Sequence, residues 1–464
     1  MKSFFEFITE QRNSKKYSTE LRYFLQHLMA DSHGHKNDLK EEIECSDCNL
    51  DEVTVLDNTR PKKATPNLTA HPAVNQARPV EDREHVERYQ RLMSNGSRIA
   101  SSVPNIHKNM KAGHDSYMAG VKSGEDPRKT QKSQLTQARG AVKGYMRDRA
   151  GYTAKSVPKF LGGNTKTEKN VKKGDITAGM NLSPAGIHGM GGHNACPNST
   201  RECRHSCLAY TSGQNAMLSN INSKIAKHHF AAEHPEHHVR MLHSELLNHV
   251  DQVKKWNDQK KPGEKKLIAS YRPNMVTDYN YAHMHGAMLD HVHAHAASQG
   301  VHFQVRDYTK NHQQLYKDRH PNHFLALSHT GQDVNPHSGE HHSESNDGHV
   351  SKALNHGHTV AAVVAGNATH MYDHKTKRLY PMVDGDGDDQ IEKRHEQAGH
   401  ITQKDGTGVD KKTLKPTGVV SVLRVKGGSG KIKKAAGNFE NQTTDFHHPE
   451  HGPMRVVEIN KKHA

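Results

Sequence analysis

Apolar residues follow one spacing before about residue 175 and another after it. Residues 1–30 read as an amphipathic leader helix with Phe4, Phe5, Phe7, Ile8, Leu21, Phe24 and Leu28 as its apolar positions. Residues 31–85 are polar, Pro-containing and aperiodic, which predicts a linker. Residues 86–174 form a basic region that reads as helical up to 150. Its candidate inward positions are Tyr89, Leu92, Met93, Ile99, Met110, Tyr117, Met118, Val121, Leu135, Val142 and Tyr145.

From 175 to 430 short β-rich runs alternate with helical or loop segments. The runs are Ile176–Leu182, Leu267–Arg272, Val301–Tyr308, Phe324–Ser328, His358–Gly366, Leu379–Asp384 and Gly418–Val425. The clearest helix spans 215–256, with Ile221, Ile225, Phe230, Val239, Leu242, Leu246, Leu247 and Val250 as its buried stripe. Strands that alternate with helices build parallel βαβ units. The expected fold class is therefore α/β, a partial or open parallel α/β barrel, preceded by a helical and partly disordered N-terminal region. In such a barrel, sites gather at the carboxyl ends of the strands. Residues 431–464 read as a basic polar tail.

Composition sharpens this picture. Only 32% of the 464 residues are hydrophobic and 5% aromatic, low for one large core, so roughly half of the chain is expected to be compact. No run of about 20 apolar residues is present, which excludes a membrane-spanning helix. Met1-Lys2 opens no apolar signal-peptide core. Five clustered cysteines do not make a secreted disulfide framework and fit a reducing cytoplasm. The net charge is +15, and residues 121–176 hold 14 Lys/Arg against 5 Asp/Glu. Arg139, Lys143, Arg147 and Arg149 predict either a phosphate-backbone contact, and so a nucleic-acid partner, or a solvated helix face.

The candidate chemistry centres on Cys196, Cys203 and Cys207, a C-x6-C-x3-C cluster that follows the first strand of the barrel. Three thiols this close can hold one soft metal centre, and an odd number leaves a coordination position open. Zinc would take a fourth ligand from His193 or His205; an iron–sulfur cluster needs none if a substrate or cofactor binds the last iron. Cys45-Ser-Asp-Cys48 is half a zinc site without a second pair at finger spacing. Later strand ends are polar beyond structural need: Arg272 with Asp278, Asp307 with Lys310, and Ser328-His329. Arg272, Asp278, Asp307 and Lys310 are the candidate catalytic residues. The run Asp384-Gly-Asp386-Gly-Asp388-Asp389 is not an EF-hand, since Asp389 stands at the sixth position and His395 at the twelfth. It is expected to hold Mg²⁺ or to cap strands and turns. Lys426-Gly-Gly-Ser-Gly-Lys431 lacks phosphate-loop spacing. The 41 histidines are so frequent that His228, His229, His234, His237, His238, His291, His293 and His295 are expected mostly at the surface.

Two resemblances add to this. Met1–Glu10 resembles the capsid-targeting leader of large T-even-type tailed phages, with Ile8-Thr9-Glu10 matching its aliphatic-x-Glu cleavage site. It implies packaging in a phage head. Asn181-Leu-Ser-Pro184, Cys196-Pro, Cys203-x-x-x-Cys207-Leu-Ala-Tyr, Lys227-x-x-Phe230, Asp307-Tyr-Thr-Lys310, Val383-Asp-Gly-Asp386 and the run from Gly418 to Gly427 stand in the order of the phage gene 88 protein family. The chain resembles that family over roughly 175–430. The layout is also similar to radical-SAM-type barrels, although those mostly use C-x3-C-x2-C. That likeness implies Cys196, Cys203 and Cys207 as cluster ligands, with S-adenosylmethionine at the open iron. Asn181, Ser183, Asp384 and Asp386 would be cofactor-binding, and the four catalytic candidates would face cofactor or substrate. The reading is a phage iron–sulfur protein of the host cytoplasm or virion interior, a radical-type enzyme acting on nucleic acid or nucleotide. The alternative is a zinc-stabilised nucleic-acid-binding or head-packaged virion protein without catalysis.

Overall fold

In chain order the elements are α1 (Asn105–Ala119), the short α2 (Pro127–Thr130), α3 (Lys132–Ala150), β1 (Leu161–Gly162), α4 (Thr165–Val171) and β2 (Asp175–Met180). Then come α5 (Leu218–Glu233), α6 (Pro235–Asp258), β3 (Ile268–Arg272), α7 (Tyr281–Ser298), β4 (Phe303–Thr309), β5 (His323–Ser328), α8 (Asp347–Asn355) and β6 (Thr359–Ala365). The rest are β7 (His370–Asp373), β8 (Arg378–Asp384), α9 (Arg394–Gln397), β9 (Ile401–Thr402), β10 (Gly408–Val409), β11 (Val419–Arg424), β12 (Glu440–Asn441) and β13 (Met454–Val457). This computed structural model describes residues 105–150, 157–163, 165–184, 195–196, 198–199, 218–317, 320–329, 346–365, 369–373, 375–424, 440–441 and 454–457. The leader, the linker with Cys45 and Cys48, Gly189–His193, Cys203, His205, Cys207 and Lys426–Lys431 lie outside the described residues.

Each of the seven β-rich runs forms a strand, and β2, β3, β4, β5, β6, β11 and β8 lie parallel in that order. Both faces of such a sheet are covered, which is why β6 reads as the unbroken run Thr-Val-Ala-Ala-Val-Val-Ala. Antiparallel strands extend it on either side: β1 beside β2, and β7 and β13 beyond β8. The seven-run pattern did not foresee these.

The sheet curls. Laid flat, β2 and β8 would stand about 29 Å apart, six strand spacings of about 4.8 Å. Yet Asp388, four residues beyond β8, pairs with Lys173 just ahead of β2, and the Asp389 amide donates to Asn170 Oδ1 of α4 at 3.1 Å. No strand pairing joins β2 to β8 among the described residues, so the barrel is partial.

Alternation along the strands turns Ser270, Arg272, Gln304, Arg306 and Tyr308 inward and Ala269, Tyr271, Phe303, Val305 and Asp307 outward. The segment after β8 fills the interior. Ile391 packs on Tyr308, Phe324, Ala326 and Ala361, and charged groups around it interlock. Arg306 lies between Asp175 and Glu392, Arg394 reaches Asp388, and Arg272 reaches both oxygens of Asp389 at 3.1 Å.

Outside, α6 packs on β3 and α7 on β4, and α1, α3 and α5 pack over α6. The basic helices and the barrel therefore share one core, with Met110, Tyr117, Leu135 and Val142 in the same cluster as Leu242, Tyr271 and Val305. Gly113 lets α1 approach α6 closely: a Cβ there would stand 2.6 Å from Pro235 Cβ and 2.7 Å from the Glu236 amide nitrogen. A second cluster, under α8, joins β5, β6, β7, β8 and β11.

Two expectations are corrected. The helix over 215–256 is two helices, because Pro235 has no amide hydrogen to donate and instead occupies the first turn of α6. The histidines are not mostly at the surface. Of the eight singled out, only His234 is exposed, while His228, His238 and His293 are buried. Helices between a sheet and an outer helical layer have no fully solvated face, so frequency alone could not place these side chains.

Candidate functional site

The carboxyl ends of β2, β3 and β4 meet the only described part of the cysteine loop. The Asp278 amide donates to Ala195 O at 2.7 Å, and Cys196 Sγ lies 3.7 Å from Val276 O. Ser199 closes a turn on Cys196 O through its amide at 3.0 Å and its hydroxyl at 2.7 Å. The Met275 amide donates to Met180 O at 3.3 Å, tying the turn after β3 to the end of β2.

Asn274, directly after Pro273, organises that turn, as an Asx side chain can. Its Oδ1 accepts from Thr277 Oγ1 at 2.7 Å and the Tyr279 amide at 3.0 Å; its Nδ2 donates to Tyr279 O at 2.8 Å and Asp307 Oδ2 at 2.6 Å. Tyr279 OH in turn meets His228 Nε2 of α5 at 2.7 Å. The sequence reading draws no attention to Asn274 or Tyr279, and it places His228 only among the histidines expected at the surface. The one signal is Asp278, a carboxylate shortly beyond a strand end.

Asp307 and Asp278 are buried together. Burial raises the Asp307 carboxyl to about 8, the Asn274 and Tyr308 hydrogen bonds oppose the rise, and Asp278 adds to it. Asp307 thus keeps its proton at neutral pH and can act as an acid. Burial also raises Asp278, against the pull of the Lys310 charge. Asp278 Oδ2 accepts from the Lys310 amide at 3.2 Å, and hydrogen bonds from the Thr309 and Asn198 side chains also pull the carboxyl down. Among the described residues Asn181 Oδ1, one residue past β2 and buried, has no hydrogen-bond partner, and Ser183 near it is buried.

The four catalytic candidates are divided by the sheet. Asp278, Asp307 and Lys310 share the rim. Arg272 points into the barrel, where Asp389 holds it and Tyr308 lies 4.7 Å beneath its guanidinium. Asp384 and Asp386 lie at the end of β8. Asp384 Oδ1 accepts from the Asp386 amide at 2.9 Å, a turn cap, and Asp386 O faces Lys169 Nζ at 3.4 Å. At the end of β5, His329 Nε2 lies 2.7 Å from Asp347 Oδ1. Among the described residues no three His, Cys, Asp or Glu side chains converge as a metal site; Cys203 and Cys207 are not among them.

On the far side, Arg139, Lys143 and Arg147 form an exposed stripe at four-residue spacing on α3. No helix among the described residues is long and apolar enough to cross a membrane.

No curated protein and no solved structure matches the chain. The profile of one family, Gene product 88, does match, over residues 158–417, from just before β1 to just before β11. That span covers more than half of the sequence and all of the described rim, and the chain therefore belongs to the Gene product 88 family of bacteriophage proteins.

Proposed function

We propose that this chain is an iron–sulfur enzyme acting on a nucleic acid or nucleotide, with Cys196, Cys203 and Cys207 as cluster ligands. The observation that carries the reading is the place of Cys196. Its thiol stands at the carboxyl rim of a parallel sheet, in a region where Asn181 Oδ1 is buried with no hydrogen-bond partner among the described residues. Native proteins rarely leave such an atom unmet, so it marks a place for a bound polar group. A thiolate donor set fits soft iron–sulfur ligation. When bound, a cluster with an open iron supplies one-electron chemistry, for example to S-adenosylmethionine. The chain's own residues would do the rest. Asp307 holds a proton at its carboxyl, Lys310 supplies positive charge at the rim, and Asn274 keeps the turn in shape. Arg272, Asp384 and Asp386 would act from the barrel interior and the end of β8. Carriage in the phage head follows from the leader-like Met1–Glu10.

Anaerobic purification with iron and sulfide analysis tests this directly. The intact chain is expected to carry both, and Cys203→Ala to lower iron to background, because a thiolate ligand is lost. One zinc and no iron would replace the enzyme reading with a zinc-stabilised binding protein.

That second reading is favoured by the stripe on α3. If Arg139, Lys143 and Arg147 contact phosphates, binding to duplex DNA should weaken with salt at a log–log slope of about −0.9 per contact. Replacing all three by Ala should then flatten the slope by about 2.7. An unchanged slope would return the stripe to a solvated face.

A further inference from the structure

Among the described residues, six buried polar atoms between the sheet and the helices have no protein hydrogen-bond partner: both ring nitrogens of His238, both of His285, and the hydroxyls of Tyr271 and Tyr281. They form one continuous group. The Tyr281 and His285 rings are 5.1 Å apart, the His285 and His238 rings 6.2 Å, and Tyr271 acts electrostatically on Tyr281. An unmet buried polar group costs about 1–3 kcal/mol. Six of them together would rival the whole stability of a typical domain, about 5–15 kcal/mol. A folded chain cannot carry that deficit. Among the described residues no three His, Cys, Asp or Glu side chains converge here to hold a metal ion, whereas water satisfies several such groups at once.

The group has two ends. Tyr271 lies beside Val305 in the sheet, so Asp307, two residues on and facing the same way, is its diagonal neighbour. The Asp307 charge acts on both Tyr271 and Tyr281. At the other end, α7 is kinked at His285, which has φ −126° and ψ 21° inside the helix. Past the kink, the Met288 amide donates to His114 Nε2 at 3.3 Å. With Nε2 accepting, the His114 proton is on Nδ1, where it faces Asp115 Oδ1 at 2.9 Å. His114 and His285 have ring centroids 5.5 Å apart, and the Asp115 side chain is 54% exposed.

We infer that these groups line a hydrated proton path from Asp307 through Tyr281 and His285, past the fixed His114 ring, to solvent at Asp115. Each water, hydroxyl or imidazole on it takes one proton and passes one on, so a single proton moves and no other bond changes. The path makes Asp307 a rechargeable acid although its carboxyl is buried, and it rests on the reading of Asp307 as the proton-carrying group of the rim.

Infrared spectroscopy of the whole chain tests it. A protonated carboxyl band lost in Asp307→Asn identifies the group, and its shift in D2O times proton exchange. Exchange in the unaltered chain should be complete on mixing. Tyr281→Phe and His285→Phe should keep the band but slow its shift by an order of magnitude or more. No Asp307 band at neutral pH, or unchanged exchange in both variants, would overturn the path. If a variant does not fold, a high-resolution crystal structure of the unaltered chain decides: ordered water against Tyr281 and His285 supports it, and a dry cluster rejects it. Neither readout needs iron or substrate, so a chain without a cluster would remove the enzyme reading and leave the path standing.

Discussion

Acidification from pH 7 to 4.5 is expected to cost the protein about 7 kcal/mol of stability, enough to unfold an ordinary domain. The cause is imidazole burial. His238, His243, His293 and His395 are each drawn down from 6.5 to about 3, chiefly by burial. Their folded values lie below the unfolded one. The neutral rings therefore contribute fully above pH 6.5, and that contribution is lost as pH falls from 6.5 towards 3. Asp307 has the opposite sign. Its folded value of about 8 lies above the unfolded 3.8, so its proton favours the fold most below 3.8, and the benefit fades as pH rises through 8. At pH 5.5 the unfolded chain holds about 3.6 more protons on the four rings and about one fewer on Asp307. The net of between two and three protons corresponds to roughly 3–4 kcal/mol per pH unit. The two effects balance near pH 7, where stability should peak. Urea unfolding followed by circular dichroism at pH 7, 5.5 and 4.5 checks this. A midpoint constant across that range would mean the rings are solvated in the folded chain.

Arg306→Met is expected to destabilise the protein by about 3–5 kcal/mol, the range for removing one partner of a buried ion pair. Arg306 and Asp175 are both fully buried. Burial alone would lower the guanidinium, but Glu392 and Asp175 reverse this and hold it above its ordinary range. Without Arg306, Asp175 is left as a carboxylate beside Gln304 Nε2 at 3.4 Å and Thr177 Oγ1 at 3.0 Å. Glu392 also loses its bonds to Arg306 Nε at 2.9 Å and Nη2 at 2.5 Å, which anchor the segment filling the barrel. Asp175→Asn added to Arg306→Met should recover part of the loss, since the stranded charge goes with it. Urea midpoints of the two single variants and the double measure this. A loss below about 1 kcal/mol in Arg306→Met would show that water reaches the barrel interior.

The strands of the sheet and the rim were legible to different degrees. Runs such as Val301–Tyr308 and Gly418–Val425 announce strands because β-branched and apolar residues suit a pleated backbone buried on both faces. Asp278, Asp307 and Lys310 could be picked out because polar residues at the ends of such runs are conspicuous. Arg272 looked equivalent to them, yet alternation turns it inward and the distant Asp389 captures it. β1, β7 and β13 were not foreseen, since short or partly polar strands carry little local pattern.

By itself the sequence determined the seven parallel strands, the cysteine cluster after the first of them, the cationic spacing on α3 and the family. These depend on residue type and local period, which neighbours in the chain decide. Only the tertiary structure decided that α1 and α3 share the core of the barrel, that Arg306 joins Asp175 to Glu392, and that Asp307 faces Tyr271 instead of the barrel interior. It also decided which histidines lose their water. Burial and charge pairing depend on what another layer, far along the chain, lays over each side chain, and no local pattern records that.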